Sequence, residues 1–210
     1  MQSVLLSSTY FGPVQWYQKL NRADNIFIEQ CDNYHKQTYR NRCLIAGANG
    51  IEALTVPVER PDTTPLHRTP MKDLRISDQG NWCHTHWNAL TSAYSESAFF
   101  DYYADDIRPF FEKHWKYLID FTEAIYIKMC SLLDIDLSEK HICRTSSYDK
   151  APAGIADLRS VIDAKHPIPD EDFTPKPYYQ VFRHKHGFLP NLSILDLLFN
   201  MGPESILYLE

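Results

Sequence analysis

Lys36, Thr38, Arg40 and Arg42 alternate along the segment His35-Lys36-Gln37-Thr38-Tyr39-Arg40-Asn41-Arg42. Side chains of an extended chain alternate between two faces, so this spacing predicts, for an extended segment, three cations and a hydroxyl on one surface. Like charges held side by side repel, and an anionic partner relieves that repulsion. The planar guanidinium fork suits a phosphate or a carboxylate. An edge strand protected by cations against pairing with another sheet explains the pattern without any ligand.

A second anion-suited feature is the loop Ser8-Thr9-Tyr10-Phe11-Gly12-Pro13, which runs from a short apolar segment into a helix. Free N–H groups at a helix start favour anions, and Tyr10 or Phe11 offers a stacking face or simply packs the loop. Glu29 ends the next strand and is expected beside that loop. His84 and His86 lie two apart, which on a helix puts them on different faces, unlike the four-apart pair of zinc proteases. His86 shares a face with Trp82, Ala89, Leu90 and Ala93, so it is either a buried structural histidine or a general base working near neutral pH. His184 and His186 lack a third ligand at a recognisable spacing, so no metal is expected.

The elements that must position these groups follow from periodicity. Residues 4–7 and 25–29 read as strands flanking a helix that starts near Pro13, which makes a βαβ unit with parallel strands. Further strands are expected near 43–46, 54–58 and 74–77, with Pro57 at an edge or an end. One helix is expected over 82–94 and a long one over 107–133, where Ile107, Phe111, Trp115, Leu118, Phe121, Ile125 and Met129 recur at three and four. Residues 140–147 suit a strand that returns to the sheet, and 153–164 a helix. The stretch 166–177 holds four prolines and reads as an exposed loop. Ser193 and Asp196 fit a helix-starting S-x-x-D box, with Asn200 and Gly202 at the far end. The expected architecture is α/β: a small parallel or mixed sheet built from an N-terminal βαβ unit, with a substantial helical portion. It is one domain over 1–210, with a strand-rich half to about residue 79 and a mainly helical half from about residue 80.

Composition bounds the function. The chain has 210 residues, a formal net charge of -6 and 23% charged residues, which fits a soluble globular protein and disfavours nucleic acid or anionic membrane as partner. Any anion site must be local. Five cysteines with no C-x-x-C pair read as reduced thiols, and the N-terminus has neither the basic region nor the apolar length of a signal peptide or a membrane span. A cytoplasmic location is expected. No P-loop or dinucleotide fingerprint supports ATPase or dehydrogenase activity and no G-x-S-x-G elbow supports a hydrolase; no cofactor is expected.

Six motifs occur together in order: Tyr10-Phe11-Gly12-Pro13, Lys36 to Arg42, Leu54-Thr55-Val56-Pro57-Val58, Trp82-Cys83-His84-Thr85-His86-Trp87, Ala98-Phe99-Phe100 with Tyr103 following, and Asn191 to Asn200 followed by Gly202. With them the chain resembles the WbqC-like protein family from about residue 3 to the C-terminus. The family occurs in bacterial gene clusters for O-antigen and related polysaccharides. That resemblance implies a cytoplasmic transferase acting on an amino-sugar or nucleotide-sugar precursor of surface polysaccharide, by acyl or aminoacyl transfer, glycyl transfer included. Its implied ligand is an anionic small molecule, a nucleotide sugar or phosphorylated sugar. His86 and Glu29 are then the catalytic candidates. Tyr10, Phe11, Lys36, Tyr39, Arg40, Asn41, Arg42, Trp87, Asn191, Ser193 and Asp196 are the binding candidates. Two other readings stay open. One is a nucleotidyltransferase-like nucleotide-binding enzyme, the other a non-catalytic sugar-nucleotide binding or assembly protein.

Overall fold

The structure, a computed structural model, describes residues 2–210. Its first unit is β1 (Ser3–Ser7), α1 (Val14–Arg22) and β2 (Asn25–Glu29), with β1 and β2 parallel in register from Ser3 opposite Asn25 to Ser7 opposite Glu29. Val4, Leu5 and Leu6 form a continuous buried run, as expected for a strand covered on both faces. Pro13 sets the entry to α1 with φ -70, and the helix buries Trp16, Tyr17 and Leu20. Each such side chain contributes about 1.5–3 kcal/mol by leaving water. The Trp16 indole N–H donates to the Ser7 carbonyl at 2.9 Å, which fixes α1 against the end of β1.

A hairpin follows, β3 (Arg42–Gly47) and β4 (Gly50–Thr55), antiparallel and separate from the main sheet. Gly50, at φ 110, supplies the backbone conformation its tight turn requires. Next come α2 (Trp82–Tyr94), α3 (Phe100–Ile107), α4 (Pro109–Glu112) and α5 (Leu118–Leu132). Two strands then return to the sheet. β5 (His141–Arg144) pairs in parallel with β2, and β6 (Ala156–Asp157) in parallel with β1, giving the order β5-β2-β1-β6. A short α6 (Arg183–His186), the apolar α7 (Ile194–Met201) and a 3-10 helix over Gly202–Tyr208 close the chain. The α/β expectation holds: a parallel sheet grown from the N-terminal βαβ unit, with a large helical portion.

Four local expectations are corrected. Residues 36–41 are turns, not strand, with Gln37 at φ 64, and β3 begins only at Arg42; the alternation of Lys36, Arg40 and Arg42 therefore does not put them on one face. The helix expected over 107–133 breaks twice. Pro109 starts a new helix, and the backbone at 116–118 turns aside to bond residues 74 and 76 (Ile76 N–H to Lys116 at 3.1 Å, Leu118 N–H to Leu74 at 2.9 Å). These bonds, with those of Glu59 N–H to the Arg75 carbonyl and Ser77 N–H to the Pro57 carbonyl, hold Arg75 and Ile76 in isolated bridges instead of a strand. Residues 153–164 form no helix, because Gly154 turns at φ 74 and Ala156 and Asp157 are claimed by β1.

α7 is seated from its polar groups. Ser193 caps it by accepting from the Leu195 N–H at 3.3 Å and donates its own hydroxyl to the Phe11 carbonyl at 2.8 Å. Asp196, fully buried, accepts from the Tyr94 hydroxyl at 2.9 Å, the Tyr178 hydroxyl at 2.8 Å and the Gln180 amide at 2.7 Å. These bonds tie α7 to α2 and to the chain at 178–180. At the other end Gly202 turns with φ 53, and a Cβ there would meet the Phe99 ring at 2.5 Å.

Candidate functional site

Beyond the carboxyl ends of the parallel strands lies an open cleft of about 850 Å³. Ligands of open parallel sheets gather at this edge. The cleft is built by three loops. The loop after β2 supplies Asp32, His35, Lys36, Thr38 and Arg40; the loop after β5 supplies Tyr148 and Lys150; the chain at the end of β6 supplies Asp157, Arg159, Asp163, Lys165 and His166. Five of these side chains are cations and three are carboxylates, in a chain whose formal net charge is -6.

The cations differ in how free they are. Arg159 is nearly saturated: Nη1 donates to Glu29 Oε2 at 2.8 Å, Nε and Nη2 to the Asp157 carboxylate at 2.9 and 2.6 Å, and Nη2 also to the Asp149 carbonyl at 2.7 Å. Burial works against the Asp157 charge, but the Arg159 bonds prevail and hold its carboxyl below the usual range. Glu29, fully buried at the end of β2, also accepts from the Cys31 N–H at 2.7 Å and the Thr145 hydroxyl at 2.8 Å. This buried cluster rivets the β2, β5 and β6 loops together under the cleft. Arg40 is engaged by Asp32 in a buried ion pair. Burial pushes the Asp32 carboxyl upward in spite of Arg40, and its Oδ1 has no hydrogen-bond partner. Among the described residues Lys36, Lys150 and Lys165 make no ion pair, so they are the free charge of the cleft. Lys165 is placed by a strap: Asp170 on the same segment accepts from Lys19 Nζ and Gln15 Nε2, both at 2.8 Å, which ties the chain to α1.

The sequence candidates fall into separate places. Lys36 and Arg40 line the cleft and Glu29 lies directly beneath it. Arg42 sits on the hairpin, donating to the Thr55 hydroxyl at 3.0 Å. Asn41 donates to the Val56 carbonyl at 2.8 Å, and Tyr39 is buried, its carbonyl accepting from the Tyr10 N–H at 2.9 Å. Tyr10 and Phe11 are fully buried. The Tyr10 hydroxyl meets His86 Nδ1 at 2.9 Å, and the rings of Trp82, Phe111 and Tyr10 surround the imidazole. Burial lowers the His86 pKa to about 4, against a smaller opposing backbone hydrogen bond at Thr55. His84 lies on the exposed face of α2, paired with Asn88. Trp87 packs on Phe100 and Phe111. Asn191, at φ 54, accepts from the Gln15 N–H at 3.0 Å through its side chain. With Ser193 and Asp196 it belongs to the seat of α7 rather than to the cleft lining.

Among the cleft residues that the sequence did not single out are Asp32, Tyr148, Lys150, Asp157, Arg159, Asp163 and Lys165. Asp32 stands next to the cationic run, and Asp157-Leu158-Arg159 is a local pair of opposite charge, so both had a weak local signal. The others converge only through the sheet order.

Comparison with known proteins agrees with the motif reading. A model of the WbqC-like protein family matches residues 8–169. A protein of Mycobacterium tuberculosis named "Uncharacterized protein Rv1507c" is 26% identical over 229 aligned positions, spanning 98% of this chain and 96% of its own length. No solved structure matches the chain. Among the described residues no helix is long and apolar enough to cross a membrane. The family match covers most of the chain, from the loop after β1 through β6 and including the cleft loops, and the protein therefore belongs to the WbqC-like protein family.

Proposed function

We propose that the protein is a transferase that holds a nucleotide-linked or phosphorylated amino sugar by its phosphates in the cleft and passes an acyl or aminoacyl group to the sugar amine. The observation that carries this reading is the convergence of Lys36, Lys150 and Lys165, from three different loops, on the carboxyl edge of a parallel sheet. Cations gathered there favour phosphate in the ground state and developing anionic charge in the transition state. The sugar and the transfer come from the family's place among polysaccharide genes, which also favours the cytoplasmic stage of that synthesis.

In this reading the sugar amine attacks the carbonyl carbon of an activated acyl donor. The new N–C bond forms, the leaving group departs with its electron pair, and the amine gives up a proton. Asp32 is the acceptor in this reading, as the cleft-lining carboxylate whose basicity burial has raised. Glu29 acts by fixing Arg159, and His86 by fixing Tyr10 and the loop that opens α1.

The test is a thermal-shift panel of amino-sugar nucleotides, sugar phosphates, ATP, CTP and acyl-CoA, followed by mass spectrometry of stabilising pairs. A ligand at a hundred times its dissociation constant adds about 2.7 kcal/mol of stability. The reading expects stabilisation by an amino-sugar nucleotide or phosphate, and a product heavier by one acyl group. Stabilisation by ATP or CTP alone, with nucleotide transfer as the product, would replace it with the nucleotidyl reading.

A further inference from the structure

We propose that Tyr148 is a stacking platform for the base of a nucleoside diphosphate, which narrows the cleft's ligand from phosphorylated sugars in general to nucleotide-linked ones. This rests on the reading of the cleft as an anion site. Tyr148 follows β5 and lines the cleft, yet it is 54% exposed, unlike the buried aromatics Tyr10 and Phe11. The Arg159 guanidinium lies 5.0 Å from the centre of its ring. That guanidinium cannot drift, because Glu29, Asp157 and the Asp149 carbonyl occupy its nitrogens and its side chain is only 9% exposed. Two carboxylates already balance the Arg159 charge, so phosphate falls to the free lysines. The task left to Arg159 is to hold the Tyr148 ring flat.

A cleft of about 850 Å³ is far larger than a phosphate needs and lies within the range of sites for whole nucleotide-sized ligands, roughly 300–1,000 Å³. Free ammonium groups and one braced, solvent-open ring in the same cleft match a ligand with an anionic middle and a flat end. Stacking a base on an aromatic ring is worth roughly five- to 150-fold in affinity.

The experiment is calorimetric titration of pyrophosphate, UDP, ADP and glucose 1-phosphate into the wild type, Tyr148→Phe and Tyr148→Ala. The expected result is a nucleoside diphosphate bound at least about fivefold more tightly than pyrophosphate, an advantage kept by Tyr148→Phe and abolished by Tyr148→Ala, with pyrophosphate affinity unchanged throughout. Arg159→Lys should reduce the same nucleotide-to-pyrophosphate ratio, which a role confined to stability would leave alone. The proposal is overturned if the wild type binds pyrophosphate as tightly as both nucleotides, if Tyr148→Ala weakens all ligands alike, or if glucose 1-phosphate carries the Tyr148 dependence. Failure of the wild type to bind any of the four would overturn the anion reading itself, a separate and recognisable outcome.

Discussion

Arg40 folds back across eight residues to close a buried ion pair with Asp32, and both side chains line the cleft. The pair is only half satisfied internally: Arg40 Nε and Asp32 Oδ1 have no hydrogen-bond partner. It therefore organises the turns of 32–40 and leaves two buried polar atoms unpaired beneath the cleft wall.

Breaking a buried pair by removing one member leaves the other charge uncompensated, which costs about 3–5 kcal/mol. Arg40→Ala should lose stability on that scale in urea unfolding. The double variant Asp32→Ala/Arg40→Ala should lose less than the two single losses added together. Additive losses would mean that the two residues are not coupled in solution.

His86 predicts a pH dependence of stability. Its folded pKa of about 4 lies below the unfolded value of about 6.5, so the folded state resists protonation. The contribution is fully present above about pH 6.5 and is lost as pH falls toward 4. Between pH 7.5 and pH 5 the wild type should lose about 2 kcal/mol more than His86→Gln, read from urea midpoints at both pH values. Equal losses in the two proteins would show that His86 titrates freely and is open to solvent.

The Asp196 carboxylate is the shared acceptor of Tyr94, Tyr178 and Gln180. Asp196→Ala strands three buried donors, each costing about 1–3 kcal/mol, whereas Tyr178→Phe removes only one bond. Unfolding by denaturant should rank Asp196→Ala as much the more damaging. A loss of under about 1 kcal/mol for Asp196→Ala would show the network to be dispensable.

The sequence reveals best what depends on local pattern. The βαβ start, α2 and the capped α7 all follow from apolar period and end signals within a few residues of themselves. The cationic run lies partly at the cleft, though not for the reason of strand alternation. Lys36 and Arg40 do reach the cleft, but through turns that bury Arg40 on Asp32, not through strand alternation. Lys150 and Lys165 carry no local signal because they meet Lys36 only after β5 and β6 add to opposite sides of the βαβ unit. The aromatic loop misled in the other direction. Tyr10 and Phe11 have residue types suited to a ligand, and only three-dimensional packing against His86, Phe110, Phe111 and Phe121 shows them in the core.

The most direct test of the cleft is calorimetric titration of pyrophosphate into the wild type and into Lys36→Ala/Lys150→Ala/Lys165→Ala, with urea midpoints measured alongside. None of the three lysines makes an ion pair among the described residues, so the triple variant should unfold at nearly the wild-type midpoint. The account predicts that the wild type binds pyrophosphate, more weakly as salt rises, and that the triple variant loses binding by at least about tenfold while staying folded. A stable triple variant that binds as well as the wild type, or a wild type that does not bind, would contradict it.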